Sequence, residues 1–266
     1  MSDSPPPDRE LDGRPIGIQA EPNDGRALLA TVDGGVYARH PVRTHLVTPA
    51  DADAVAVVRR YAMPLGDEVA LVAVSERMVA ITQGRSHRMV DIRPGWLARF
   101  LVRFVTRPGY GIGLGTPETM QLAIDEVGAP RILLAAVASG LTKPFGIHGL
   151  FYRIAGRQAA AIDGPTSYTI PPYNEAATLG PRDPNGVARR IAEALGVAAA
   201  VIDANDAGCN ALGVSGGVDR RWVERLFADN PLGQAREQTP ICAVRRLSWP
   251  EGEPLPPEPR RRITPP

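Results

Sequence analysis

Cysteine is scarce: Cys209 and Cys242 are the only two in 266 residues, too few for a disulfide framework. No apolar run approaches the ~18 residues of a membrane span, and the N-terminal MSDSPPPDRE has no basic-then-apolar leader pattern. These two features predict a cytoplasmic protein with no membrane partner. Neither sign of charge is in excess. Thirty Lys and Arg face 29 Asp and Glu, a formal net charge of +1, where a dedicated nucleic-acid binder would show a basic surplus. Lys143 is the only lysine. Gly and Pro number 27 each, roughly a fifth of the chain and below the ~25–30% of low-complexity sequence. No repeat at a fixed period occurs. What is present is length, with 44% apolar residues, enough to bury a substantial core.

Both ends read as tails. Residues 1–25 are polar and rich in Pro, Asp and Gly, and residues 250–266 carry seven prolines and the run Arg260–Arg261–Arg262. Proline at that density neither pairs in a sheet nor continues a helix. Between them, 26–249 reads as one catalytic domain in which helix and strand signals alternate. Thr48–Pro49 is an N-cap with proline at N1, opening a helix to about Tyr61. Glu68–Glu76 reads as a buried strand. Trp96–Thr106 reads as an apolar helix with Arg99 and Arg103 on a solvated edge. Thr116–Pro117 opens a helix ending at Gly128, with Met120, Ile124 and Val127 inward. Ile132–Ser139 reads as a central strand. Asp183–Pro184 starts a helix with Val187, Ile191 and Leu195 on one face and Gly196 as its stop, followed by a strand over Val197–Ile202. The expected class is α/β (α+β), with mixed sheets and flanking helices.

Several familiar motifs are excluded. There is no G-x-x-x-x-G-K-[ST] for a phosphate loop. Glycines 109, 111, 113 and 115 alternate strictly instead of spacing as G-x-G-x-x-G, which favours a turn or edge strand over an anion site. Gly213–Val214–Ser215–Gly216–Gly217 matches G-x-S-x-G, but His40, His45, His87 and His148 all precede Ser215, whereas the base of an α/β-hydrolase follows its serine. No Cys/His cluster suits zinc. Acids near Cys209 raise a thiol pKa, which makes it structural and not reactive.

The densest polar group is Asp203–Ala204–Asn205–Asp206–Ala207–Gly208, directly after an apolar strand, where α/β sheets place ligands. Its oxygen donors suit Mg²⁺ or Mn²⁺; an Asx-turn explains the same residues equally well. Asp163 is a second acid, and Asn230–Pro231–Leu232–Gly233–Gln234 is a turn with little to bury. Three segments supplying acids and amides are a common way to assemble a metal-bridged phosphate site.

At this point the chain resembles the coenzyme F420-0:L-glutamate ligase family, over roughly residues 36–246. The likeness is carried by Val36–Asp67, by AVSERMVAITQGR (73–85), by Ile162–Asp163, by GPRDPNGVA (180–188), by the strand and acids of 197–206, and by NPLGQAREQTPICAVRR (230–246). The resemblance implies the family's γ-glutamyl ligase fold, a homodimer, and an amide ligase using GTP as co-substrate. Two divalent cations, Mg²⁺ or Mn²⁺, and possibly K⁺ (in the family an assisting ion) would serve it. The expected substrates are a small molecule bearing a carboxylate or phosphate and an amino acid, glutamate if family-like. Asp163, Asp203 or Asp206, and Gln234 match the family's metal residues. Arg43, Thr44, His45, Ser75, Arg77, Asn205, Gly233 and Gln234 match its nucleotide contacts, with Lys143 as a supplementary charge. The family's lysine position is Ile81, its arginine after the second aspartate gives way to Cys209, and Gly164–Pro165–Thr166 replaces the expected Ser–Asn, with Asn174 further on. These departures leave a non-catalytic nucleotide- or metal-binding protein with the same fold as the alternative.

Overall fold

The structure, a computed structural model, describes residues 15–51, 53–62, 69–105, 113–145 and 149–248. In chain order the elements are β1 (Gly17–Ile18), β2 (Leu29–Val32), β3 (Gly35–Arg43), α1 (Ala54–Ala62), β4 (Val69–Ser75), α2 (Glu76–Thr82), β5 (Ser86–Arg88), α3 (Trp96–Leu101), α4 (Pro117–Val127) and α5 (Ala129–Thr142). They continue with α6 (Leu150–Ala155), α7 (Arg157–Ala160), β6 (Ala176–Thr178), α8 (Pro184–Leu195), β7 (Ala198–Asn205), β8 (Gly208–Val214), α9 (Arg220–Leu226) and β9 (Ile241–Ser248). The class is mixed α/β, as expected. The chain divides into two compact units, 1–83 with 182–266 and, inserted between them, 84–181; the sequence reading treats 26–249 as one domain.

The first unit is built on a seven-stranded mixed sheet in the order β1-β3-β9-β4-β7-β8, with β2 also pairing on β3. β4 and β7 run parallel, and β9 is antiparallel to both β3 and β4. β4 is central because its Val and Leu side chains serve both faces: Leu71, Val72, Ala73 and Val74 are all fully buried, the pattern of a strand covered on two sides. On one face Leu71, Ala73, Ala200, Ile202 and Val244 pack under Val223, Leu226 and Phe227 of α9 and its C-terminal turn. α8 packs against β7 and β8, with Val187 and Ile191 buried. Asp183 caps α8 by accepting a hydrogen bond from the Gly186 N–H at 2.9 Å.

The second unit packs α3, α4, α5, α6 and α7 around a core of Leu101, Leu114, Met120, Ile132, Ala155 and Ile162. A small antiparallel pair, β5 with β6, completes it. α4 begins as expected: the Thr116 side chain accepts from the Thr119 N–H, and the Thr119 side chain accepts from the Thr116 N–H, two orphan donors satisfied reciprocally.

Four expectations change. Ile132–Ser139 is not a strand but the middle of α5. An unbroken apolar run carries no period of its own, and Pro130 in the first turn of α5, with Gly128 before it, fits the opening of a helix. The helix from Thr48 begins as a 3-10 turn over Pro49–Asp51 before α1. The helix from Trp96 stops at Leu101 and tightens into a 3-10 turn over Val102–Phe104. Residues 15–25, placed in a tail, include β1, paired to Arg43 and Val42. They also include Asn23, buried to 5% exposure, whose amide donates to the Pro231 carbonyl and Thr239 Oγ1. The expected tail of 250–266 and glycines 109 and 111 lie outside the described residues.

Gly213 shows what the G-x-S-x-G sequence does. A Cβ there would lie 2.2 Å from the Pro184 carbonyl carbon and oxygen and 2.6 Å from the Asn185 nitrogen, so the glycine lets the start of α8 rest directly on β8. Gly213→Ala is expected to destabilise the protein by about 1–3 kcal/mol through overpacking. Thermal unfolding checks it; an unchanged midpoint would show that the contact is dispensable.

Candidate functional site

Strand directions gather most of the candidate segments of the first unit at one edge of its sheet. Ser75 ends β4 beside Ile202 of β7, and Ile241 opens β9 opposite both Val74 and Val42. The carboxyl ends of β3, β4 and β7 and the amino end of β9 therefore meet there. Arg43–His45, Ser75–Arg77, Asp203–Asp206 and the segment preceding β9 emerge at that edge, the place where α/β sheets generally bind ligands.

The polar run 203–208 is part of a hairpin, not a loop beyond a strand. β7 extends through Asn205 and turns at Asp206–Ala207 into β8, with Asp203 opposite Asn210 and Asn205 opposite Gly208. Asn205 Oδ1 accepts from the Ala207 N–H at 2.9 Å, the Asx-turn alternative. Asp206 pairs with Arg26 at 2.7 Å, and its N–H donates to Gln234 Oε1 at 3.2 Å. The hairpin tip and the Asn230–Gln234 turn thus touch, two of the three segments singled out in the sequence.

That second turn buries more than its composition suggests. Leu232 packs into the core beneath α9, and Asn230 is fully buried in a left-handed conformation at φ 50°. Asn230 Oδ1 and Gln238 Oε1 are buried acceptors with no hydrogen-bond partner among the described residues, the type of group an ordered water satisfies. The turn is held from below by Arg39 of β3, a guanidinium 1% exposed. It grips Asp229 with both terminal nitrogens, one of these bonds measuring 2.8 Å. It also donates to the carbonyls of Leu226, Ala27 and Leu29. Burial pushes the Asp229 carboxyl upward, but the hydrogen bonds and charge of Arg39 outweigh it and hold the group below the ordinary carboxylate range.

The expected nucleotide contacts are largely engaged by the protein itself. Arg43 and Thr44 are buried; Thr44 exchanges backbone and amide hydrogen bonds with Gln238. Ser75 caps α2, its hydroxyl accepting from the Met78 N–H, and Arg77 lies in the first turn of that helix. His45 has both ring nitrogens occupied at 2.6 Å, one by Asp51 and one by the Tyr61 hydroxyl. A carboxylate only accepts, so Nε2 donates to Asp51; in the neutral imidazole Nδ1 then accepts from the Tyr61 hydroxyl, whose oxygen also accepts from the His45 backbone N–H at 3.3 Å. This Tyr–His–Asp chain fastens the end of β3 to α1. Sequence reasoning singled out His45 but missed Asp51 and Tyr61, as well as Arg26; only their convergence in space marks them.

Asp163 belongs to the second unit, where its backbone exchanges two hydrogen bonds with Thr178. Lys143 is exposed at the end of α5. A shallow cavity of about 460 Å³ in that unit is lined by His87, Arg88, Asp91, Arg93 and Asp125 among others, none of them anticipated as site residues. Among the described residues, no three His, Cys, Asp or Glu side chains stand together as metal ligands. With Asp206 neutralised by Arg26 and Gln234 Oε1 already accepting, these side chains as arranged do not fit a two-cation site, and no step below runs through a metal. No protein-family model and no curated protein matches the chain.

Cys209 is pushed up to about 12, by burial first and then by the charges of Asp203 and Glu224. Its alkylation at pH 8 is expected to run at least a hundredfold slower than that of an ordinary thiol, since the thiolate is the nucleophile; a rate near the free-thiol value would refute the buried, acid-flanked setting. For Arg39–Asp229 the sign follows from the depressed carboxyl. Its stabilisation is present above the unfolded pKa of ~4 and is lost as pH falls through the folded value. Asp229→Asn is therefore expected to cost about 1–3 kcal/mol at pH 7, below a fully buried pair because Asp229 is half exposed. Urea unfolding of both proteins from pH 7 to 2 should show the gap closing below about pH 4; a gap that stays constant would contradict the assignment.

Proposed function

We propose that the protein is a nucleotide-dependent amide ligase of the coenzyme F420-0:L-glutamate ligase kind, with that family's fold. GTP is the expected co-substrate, and an amino acid is the amine donor. A carboxylate forms an amide only after one of its oxygens becomes part of a leaving group. On this reading the substrate carboxylate takes the terminal phosphoryl group of the nucleotide and the nucleoside diphosphate departs. The amine nitrogen then attacks the carbonyl carbon, losing a proton, and inorganic phosphate leaves. Charge stabilisation and positioning govern such transfers.

The observation that carries the reading is the contact between the Asp206 N–H and Gln234 Oε1, because the resemblance assigns exactly these two distant segments to one phosphate site. Arg26 at that contact is a cation suited to a phosphate oxygen. The homodimer and the cytoplasmic setting implied by the resemblance belong to the same proposal; the cations it also implies do not, because the acids and amide as arranged do not fit them.

Two observations favour the second reading, a nucleotide- or metal-binding protein without turnover. The position of the family's lysine is Ile81, 4% exposed in the core, and the arginine position is occupied by the unreactive Cys209. Neither supplies a charge to a transferring phosphoryl group.

Thermal unfolding with GTP or ATP, with and without Mn²⁺, tests both readings. A nucleotide at ~100 times its Kd adds about 2.7 kcal/mol, and Arg26→Gln, which removes the cation at the contact, should reduce that gain. Nucleotide hydrolysis that requires both an amino acid and a carboxylate substrate identifies the ligase. Stabilisation without hydrolysis identifies the binding protein, and no stabilisation by any nucleotide overturns both.

A further inference from the structure

Two helices of the second unit turn large apolar side chains outward. Along α5, Leu133, Leu134, Val137 and Leu141 are exposed, and Phe145 beyond its end is 81% exposed. The opposite face carries Ile132 and Ala135 into the core, so α5 is apolar on both sides. Along α3 and the turn after it, Trp96, Phe100 and Phe104 recur every four residues, at 79%, 48% and 66% exposure, and Phe100 meets Phe104 edge-on at 5.2 Å. Rings this exposed leave on the order of 100–200 Å² each in water. With the exposed Leu and Val side chains of α5 they leave several hundred Å² of apolar surface uncovered in this unit, and apolar exposure on this scale marks an interaction site.

The charges around these helices identify the occupant. Residues 92–117 and 127–162 contain no Asp or Glu at all, yet carry Arg93, Arg99, Arg103, Arg107, Arg131, Lys143, Arg153 and Arg157. The unit as a whole holds ten of the thirty cations and six of the 29 acids, a net +4, leaving −3 on the remainder. Arg93, Arg99, Arg103, Arg131, Arg153 and Arg157 are exposed, and none is in an ion pair among the described residues.

A second copy meeting this face through a two-fold axis would set the patch against itself, and cation against cation. Single-stranded nucleic acid would match the charge and find rings on α3, but it would leave the outward Leu133, Leu134, Val137 and Leu141 of α5 unmatched. An anionic lipid surface matches both: acyl chains for Leu, Val, Trp and Phe, headgroups for the arginines.

We propose that the second unit docks peripherally on an anionic lipid surface through the outward apolar faces of α3 and α5, with their flanking arginines against the headgroups. This docking needs no membrane-spanning helix, and none occurs among the described residues. It is independent of any nucleotide chemistry in the first unit.

Co-sedimentation of the full-length protein with phosphatidylcholine vesicles, with and without 30% phosphatidylglycerol, tests it. Binding is expected only to the anionic vesicles, and to weaken as salt rises. Arg99→Gln/Arg103→Gln should lower it on the order of fivefold per arginine. Leu134→Glu/Leu141→Glu should abolish it; both variants are to be checked by circular dichroism and by unfolding midpoint. The arginine pair lies on the surface, so it decides the matter if the leucine variant does not fold. No binding to anionic vesicles, or binding unchanged by the arginine substitutions, overturns the proposal. Sedimentation as a dimer that Leu134→Glu/Leu141→Glu dissociates, without vesicle binding, assigns the face to a second copy and overturns it equally.

Discussion

The first unit depends on one buried cation. Arg39 stands in β3 between β2 and β9, where an unpaired guanidinium would carry a desolvation penalty of several kcal/mol. Every side-chain partner described for it lies in another segment: the Leu226 carbonyl at the end of α9 and Asp229 after it, the Ala27 and Leu29 carbonyls before β3. The cost of leaving it unmatched therefore fixes the segments around 26–29 and 226–229 together. The Asn230–Gln234 turn starts one residue after Asp229. Arg26 departs from the same segment and donates to the Asp229 carbonyl as well as to Asp206. The position of the hairpin tip is thus inherited from a charge buried beneath it.

Legibility in the sequence follows the range of the forces involved. α4 and α8 were readable because caps are local: Thr116 and Asp183 sit within three residues of the N–H groups they accept from. β4 was readable because a strand buried on both faces must be apolar throughout. α5 was not, because ILLAAVAS is apolar in either geometry and the expected burial never comes; Leu134 and Val137 face outward. A run that in a folded core means a central strand here means a helix with two apolar faces. The division into two units was also invisible. The chain leaves the first unit after α2 and returns before α8; the return falls within Gly180–Pro181–Arg182–Asp183–Pro184, but these residues read as the opening of a helix and not as a boundary.

The candidate site was legible in part. Asp203, Asn205 and Asp206 were singled out by polarity after a strand and Gln234 as part of a turn and by the resemblance, and Asp206 and Gln234 do meet. Arg26, Asp51 and Tyr61 were not, for each is unremarkable in its local sequence and acquires meaning only from a partner between 6 and 180 residues away. The segment containing Arg26 follows one that reads as a tail. Its polar residues look solvated until Asn23 is seen buried between Pro231 and Thr239.

Every polar group gathered at the sheet edge with a described partner is held with unequal strength, and this ordering bears on how a ligand would be admitted. Arg39–Asp229 is shielded on the arginine side and multiply bonded. His45 is locked by two short bonds at a half-buried position. Arg26–Asp206, by contrast, joins a carboxylate 64% exposed to a partly buried guanidinium, and a pair open to solvent on its carboxylate side is worth about 0–1 kcal/mol. The Gln234 contact at 3.2 Å is a neutral hydrogen bond of similar net worth. An anion approaching the tip can displace Asp206 from Arg26 at small cost while the base beneath stays intact. The candidate site is thus firmly bonded at its buried base and weakly bonded at its exposed tip, a gradient that follows burial and the number of bonds each group makes.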